Sequence, residues 1–263
     1  PMTLSGSDSI QIKYLSDIVK FFMKLWVYEY DILQIIPFWR GFLENKNKLF
    51  YNIEENIESL HKTWELSKVD WMYMWTNRFP AEAFEWYEDL IQDPRKIKSE
   101  VMWEAYDSFS RFIKNNWTKK TSCFWEACDV CFQKQYCHDF LDKINNKKLN
   151  YNSEYRVINW EEFPSLVYKK YWESWEKFKN HLKLISKKLV NIPKCLWWEG
   201  IYQTYNDLKE ETSLEDYTYK YIKDLYRKKS LRCKKCKHNK KCEWIHINFI
   251  RSYWFSILEP VIK

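Results

Sequence analysis

The sequence predicts a mainly α fold: an aromatic-rich helical protein with two cysteine-ligated metal modules. Three observations carry this. Apolar residues recur at alternating steps of three and four, the helical period. Aromatic residues make up 19% of the chain, so the interior is expected to be built from large rings. The spacing C-x2-C-x5-C occurs twice, at Cys128, Cys131 and Cys137 and again at Cys233, Cys236 and Cys242.

In chain order, residues 1–9 read as a flexible lead. Tyr14, Ile18, Phe21, Leu25, Tyr28, Ile32 and Ile35 then form one apolar stripe, predicting a helix that ends near Pro37. Further helices are expected at about 53–67, 68–78, 80–92 and 95–116, the last two parted by Asp93-Pro94. Within them, the Trp-rich run Trp71 to Trp75 is expected to pack into an aromatic core rather than serve as a base-stacking platform. The polar residues 145–153 read as a linker between a first part, 10–144, and a second, 154–263, each with four cysteines. In the second part Tyr155 to Ile158 reads as a short extended piece. Val167, Tyr171, Trp175, Phe178, Leu182, Ile185 and Leu189 predict a long helix with Pro193 just beyond its end. Later helices fit about 201–229 and 243–257. The apolar stretch from Ile18 to Trp39 is broken by Lys20, Lys24, Glu29 and Asp31, which argues against a membrane span.

Composition narrows the function. Three glycines, Gly6, Gly41 and Gly200, leave no Gly-rich loop of the Walker or Rossmann kind. A net charge of +7 mildly favours anionic partners such as nucleic acid, acidic protein or anionic lipid. With no export signal in the sequence a cytoplasmic setting is expected, where thiols stay reduced. The eight cysteines then read as metal ligands rather than four disulfides.

Each knuckle has one further cysteine upstream, Cys123 for the first and Cys195 for the second, giving two four-thiolate sites. Two cysteines separated by two residues can aim both sulfurs at one centre from a single turn, and a third five residues on can return from the next helix. Zinc sites with four cysteines usually pair two short knuckles, whereas each site here has one knuckle and an outlier. That asymmetry favours two [4Fe–4S] clusters, with two zinc ions as the alternative. Nearby lysines would lower the cost of an anionic cluster. His138 and His238 lie close in sequence but are read as loop histidines, not ligands.

The stretch from Ile192 to Pro260 resembles the auxiliary-cluster region, of SPASM or twitch type, at the C-terminus of radical SAM enzymes. The matching features are Ile192-Pro193-Lys194-Cys195-Leu196, the knuckle CKKCKHNKKC, and an aromatic tail through Tyr253 to Leu258-Glu259-Pro260. The resemblance implies that Cys195, Cys233, Cys236 and Cys242 ligate one auxiliary cluster. The radical SAM core motif C-x3-C-x2-C is missing, since the chain offers Cys123-x4-Cys128-x2-Cys131, and AdoMet cleavage is not expected. The same arithmetic is similar to that of Cas4-like and AddB-like nucleases, whose cluster staples a DNA-binding fold; no strand here carries their acidic metal site.

Two functions follow as expectations. One is an iron–sulfur protein that transfers electrons or docks, as an auxiliary subunit, to a partner enzyme. The other is a nucleic-acid-binding protein whose metal sites are structural, its anion-binding candidates being Arg227, Lys228, Lys229, Arg232, Lys234, Lys235, Lys237, Lys240 and Lys241. No catalytic residue can be assigned: His61, His181 and His246 sit in expected helices without a partner triad.

Overall fold

The computed structural model describes residues 2–5, 11–35, 39–104, 125–145, 156–157, 189–190, 193, 195–196, 214–242 and 244–262. Among them helices of all kinds cover about 58% and strands about 10%, so helix predominates without excluding sheet. No helix among the described residues is long and apolar enough to cross a membrane. Two compact units are present, one of Pro1–Asp93 with Glu104–Asp139, the other of Pro94–Trp103 with Phe140–Lys263.

The first unit is built on a three-stranded parallel sheet of β1 (Met2–Ser5), β2 (Glu29–Leu33) and β3 (Tyr73–Asn77), with β2 in the centre. Helix α1 (Gln11–Lys24) connects β1 to β2, and α2 (Trp39–Leu49) and α3 (Ile57–Trp64) lie between β2 and β3. Parallel neighbours need such crossovers, because a tight turn can only reverse the chain. α1 packs against α3, and between them and the sheet lies the core of Ile12, Leu15, Val19, Tyr30, Ile32 and Leu60. Trp64, fully buried, anchors its far side. Its indole N–H donates to the Ala83 carbonyl at 3.2 Å, and its ring meets Phe79 and Phe84 at centroid distances of 5.3 and 5.2 Å.

This sheet corrects several expectations. The lead contains a strand, since Met2–Ser5 finds backbone partners from Tyr30 to Leu33. The expected helix from Tyr14 to Ile35 stops after Lys24, and its second half becomes β2. The reason is a reversal at Trp26, whose φ is 61°. Val27 N–H returns to the Phe22 carbonyl and Trp26 N–H to the Met23 carbonyl, the Schellman pattern that closes a helix. α1 also buries a different stripe, Ile12, Leu15, Ser16 and Val19, while Tyr14 and Phe21 are exposed. The helix expected at 68–78 is β3, and that at 80–92 is two short 3-10 turns, Ala81–Phe84 and Glu88–Leu90. The helix expected at 53–67 is present as α3 flanked by the 3-10 turns Glu54–Asn56 and Glu65–Lys68.

In the second unit, α4 (Lys96–Ser99) runs on into a π-helical turn. It meets a later helix, α6 (Leu214–Lys220), where Lys98 pairs with Glu215 at 3.1 Å and hydrogen-bonds the Tyr219 hydroxyl. A helix that straddles the two units in sequence, α5 (Lys134–Asn145), comes before α6 in the chain. The rings of Phe140, Tyr217, Tyr221 and Tyr226 contact one another in series at centroid distances of 4.5 to 6.2 Å, the last pair stacked. Arg156–Val157 forms β4, inside the segment read as extended, and pairs in parallel with β5 (Leu189–Val190). β6 (Arg227–Lys228) and β7 (Ile245–His246) form an antiparallel pair that leads into α7 (Ile247–Tyr253). Thus 201–229 and 243–257 are helical only in part, each interrupted by a strand where the chain crosses itself. The long helix read over 167–189 lies outside the described residues except for Leu189, which is in β5. The linker residues 146–153, residues 105–116 and residues 201–213 also lie outside them.

Trp26 occupies a left-handed position that glycine takes without strain, and its side chain is 85% exposed. Replacing Trp26 with Gly is expected to stabilise the protein by about 1 kcal/mol. A higher urea midpoint at unchanged m-value would register this. A lower midpoint would mean that the indole contributes more than its exposure suggests.

Candidate metal centre

The second cysteine group is built on one loop between β6 and β7. Ser230 opens it: its hydroxyl accepts from the Arg232 backbone N–H at 3.0 Å and caps a 3-10 turn, Leu231–Lys235, that presents Cys233. The Cys236 N–H donates to the Cys233 carbonyl at 3.0 Å, and the Asn239 N–H to the Cys236 carbonyl at 3.0 Å. The Cys242 N–H then reaches the His238 carbonyl at 2.9 Å, one helical turn back. These bonds fold the ten residues into a tight loop whose three cysteines line one cavity.

Cys195 joins them from 38 residues upstream of Cys233. All four cysteines line one cavity of about 20 Å3, somewhat more than the roughly 10–15 Å3 one water needs. Pro193, Ile245, Leu258 and Pro260 supply apolar wall, and Lys228, Lys229, His238 and Trp244 complete it. The C-terminal tail closes one side: Lys237 N–H donates to the Val261 carbonyl at 2.9 Å, and the Glu259 backbone N–H is bonded to the Cys195 sulfur.

Burial pushes the Cys195 thiol up to about 12, opposed by the Glu259 N–H and reinforced by Cys233, Cys242 and Cys236. Burial likewise raises Cys233, opposed by a hydrogen bond from the Ser230 backbone. Among the described residues no three Cys, His, Asp or Glu side chains form a ready-made group for a single ion. All four cysteines nonetheless line the same cavity.

The first group repeats the loop. The Cys131 N–H donates to the Cys128 carbonyl at 3.3 Å, the Lys134 N–H to the Cys131 carbonyl at 3.1 Å, and the Cys137 N–H to the Gln133 carbonyl at 3.1 Å. Shifted by 105 residues, each of these bonds has its counterpart in the second loop, and both knuckles start in a 3-10 turn, here Trp125–Val130. One knuckle lies in each unit. Cys128 and Cys137 are buried and Cys131 partly so, with Cys137 on the first turns of α5. Cys123 lies outside the described residues.

The basic candidates divide. Lys228 is buried, and Lys229 is committed: its ammonium donates to the Asn239 carbonyl at 2.6 Å and side-chain oxygen at 2.7 Å, and sits 4.7 Å from the Trp244 ring centre. Burial lowers the Lys229 pKa against the opposing pull of Cys242, Cys233 and Cys236. The Arg232 guanidinium holds the Phe255 carbonyl at 2.7 Å. Lys234, Lys235, Lys237, Lys240 and Lys241 are exposed on the loop, and Arg227 is part-buried in β6. The lysine clamp and the N–H bonded to Cys195 were missed from sequence. Only a charged residue directly before an N-capping serine hinted at the first.

The histidines have structural partners. His61 bonds the Ala83 backbone and stacks near Tyr87 at 5.1 Å; burial lowers its pKa, while Glu85 opposes. His238 lines the cavity and His138 follows Cys137 on α5; His181 lies outside the described residues. His246 caps α7, its Nδ1 accepting from the Asn248 N–H at 3.2 Å and its Nε2 donating to the Ile222 carbonyl at 2.9 Å.

Comparison of the chain with family models, curated proteins and solved structures finds no match. The likeness to auxiliary-cluster regions therefore rests on cysteine spacing and tail residues alone.

Burial drives His246 down to about 3, so the folded state keeps it neutral while the unfolded chain takes up a proton below about 6.5. Its stabilisation is complete above pH 6.5 and is lost as the pH falls towards 3. His246→Gln should therefore lower the urea midpoint at pH 7 and flatten its decline between pH 6.5 and 4. Parallel declines in wild type and variant would refute this.

Proposed function

We propose that the chain is an iron–sulfur protein. Cys195, Cys233, Cys236 and Cys242 hold one [4Fe–4S] cluster, and Cys123, Cys128, Cys131 and Cys137 hold a second. The clusters pass electrons to, or dock against, a partner enzyme. The observation that carries this is the arrival of Cys195 at the cavity framed by the Cys233, Cys236 and Cys242 loop. Four half-buried thiols gathered without disulfides are a costly arrangement unless they bind something.

Several features support a cluster over a zinc ion. Four-cysteine zinc sites usually pair two short knuckles, whereas this site combines one knuckle with a distant cysteine. Backbone N–H groups already address two of the sulfurs, and such bonds stabilise thiolate charge and raise a cluster's potential. Lys229 brings a fixed cation to the wall. A cubane is bulkier than the cavity, so the loop has to move outward on loading. The bonds among Cys233, Cys236, His238, Asn239 and Cys242 lie within the loop and can travel with it, whereas the Lys237–Val261 bond ties it to the tail. The repeated backbone pattern around Cys128, Cys131 and Cys137 supports the same chemistry there.

A second reading, nucleic-acid binding with structural metal sites, is favoured by the five exposed lysines from Lys234 to Lys241. It predicts affinity that falls steeply with salt.

Metal and sulfide analysis with a visible spectrum on anaerobically purified protein tests the proposal. Brown protein with about eight irons and eight sulfides per chain is expected. Cys195→Ser should lose about half of both while leaving the first site loaded. Colourless protein containing zinc would falsify the cluster assignment.

A further inference from the structure

β3 alternates as a half-buried strand should, but the exposed side holds the largest rings. Met72 and Thr76 are each 6% exposed, whereas Trp71, Tyr73 and Trp75 are 45, 62 and 60% exposed. Parallel sheets are usually covered on both faces. Here α1 and α3 account for one face, where Tyr30 and Ile32 are fully buried, and the aromatic side chains stand on the other. The expectation that Trp71 to Trp75 packs into the core is thus overturned: five consecutive apolar residues suited a helix and a strand equally, and the strand turns Tyr73 and Trp75 outward, with Trp71 exposed in the turn before it.

The register shows what stands beside them. Tyr73 is opposite Glu29 and Trp75 opposite Asp31, so two carboxylates share the aromatic face. Asn77 Nδ2 donates to Asp31 Oδ1 at 2.6 Å and fixes that carboxylate in place. The surrounding sequence agrees in sign. Residues 1–93 contain 15 acidic and 9 basic side chains, a net of −6, whereas residues 94–263 carry a net of +13.

We propose that this face of the first unit binds an arginine side chain of a partner protein. Side chains two residues apart on one strand stand about 6.6 Å apart. That leaves room for one flat group between the Tyr73 and Trp75 rings. A guanidinium is flat, stacks on aromatic faces and pairs with carboxylates in two-pronged fashion. A nucleobase is flat as well, but its phosphate would meet Glu29, Asp31 and a negatively charged surrounding.

Fluorescence anisotropy on the full-length protein tests this with three labelled probes: a Gly-Arg repeat peptide with four arginines, the matching Gly-Lys peptide, and a twelve-nucleotide oligo-dT. The arginine peptide is expected to bind at least fivefold more tightly than the lysine peptide, and any oligo-dT binding, which the lysine loop could supply, should be unaffected by Trp75→Ala. Trp75→Ala and Asp31→Asn should each weaken it at least threefold, and Tyr73→Phe should retain binding that Tyr73→Ala loses. Circular dichroism checks that each variant folds, and Asp31→Asn covers the case in which Trp75→Ala does not. Equal binding of both peptides, oligo-dT binding that Trp75→Ala abolishes, no binding of the arginine peptide, or insensitivity of its binding to these variants overturns the proposal.

Discussion

The second cysteine site depends on the meeting of chain segments distant in sequence. The loop from Cys233 to Cys242 is closed by bonds spanning three or four residues and can form early and locally. Cys195 and the tail at Glu259 and Val261 cannot. Bringing them in costs loop-closure entropy, though the cost grows only slowly with the length of intervening chain. The apolar wall of Pro193, Ile245, Leu258 and Pro260 offsets it by leaving water. The site is therefore tied to tertiary folding, and a centre bound there would couple its own affinity to the stability of the unit.

The two knuckles clarify what spacing alone dictates. Between their cysteines the residues are Asp129-Val130 and Phe132 to Tyr136 in one, Lys234-Lys235 and Lys237 to Lys241 in the other. These share neither charge nor hydropathy, yet the backbone hydrogen bonds coincide. The common factor is the cysteine spacing. The environments then diverge: Cys128 and Cys137 are buried, whereas the second loop exposes five lysines to water. Equal ligand sets in such unequal surroundings would give two centres of different potential, because charge and solvent exposure both set it.

What could be read from sequence follows the range of the interactions. The knuckles, the helix at α3 and the extended piece at Arg156–Val157 rest on local spacing and were legible. Cys195 was placed with its knuckle as the one further cysteine upstream, and it lines the same cavity. The parallel sheet was not legible, because its pairing joins Met2–Ser5, Glu29–Leu33 and Tyr73–Asn77 across long crossovers. The α1 stripe failed for a related reason. Ile12, Leu15, Ser16 and Val19 and the stripe through Tyr14 and Phe21 both fit a helical period, and only the position of the sheet and α3 decides between them. Large rings biased that choice, since size was taken as a sign of burial.

The scarcity of glycine has a further cost at the turns. A chain with three glycines still has to reverse direction, and among the described residues five non-glycine residues take positive φ. Four of the five are tryptophan: Trp26, Trp86, Trp244 and Trp254. Left-handed backbone costs an L-residue about 1–2 kcal/mol, so such positions persist where the surroundings compensate. Trp244 is compensated, with the Lys229 ammonium over its ring and the cavity at its side. Trp254, at φ 63° and ψ 165°, is followed by Phe255, whose carbonyl is held by Arg232. Both compensating side chains come from the basic segment that opens the cysteine loop. The positive charges there thus serve first to hold strained turns around the cavity, and only those left exposed are available to an outside partner.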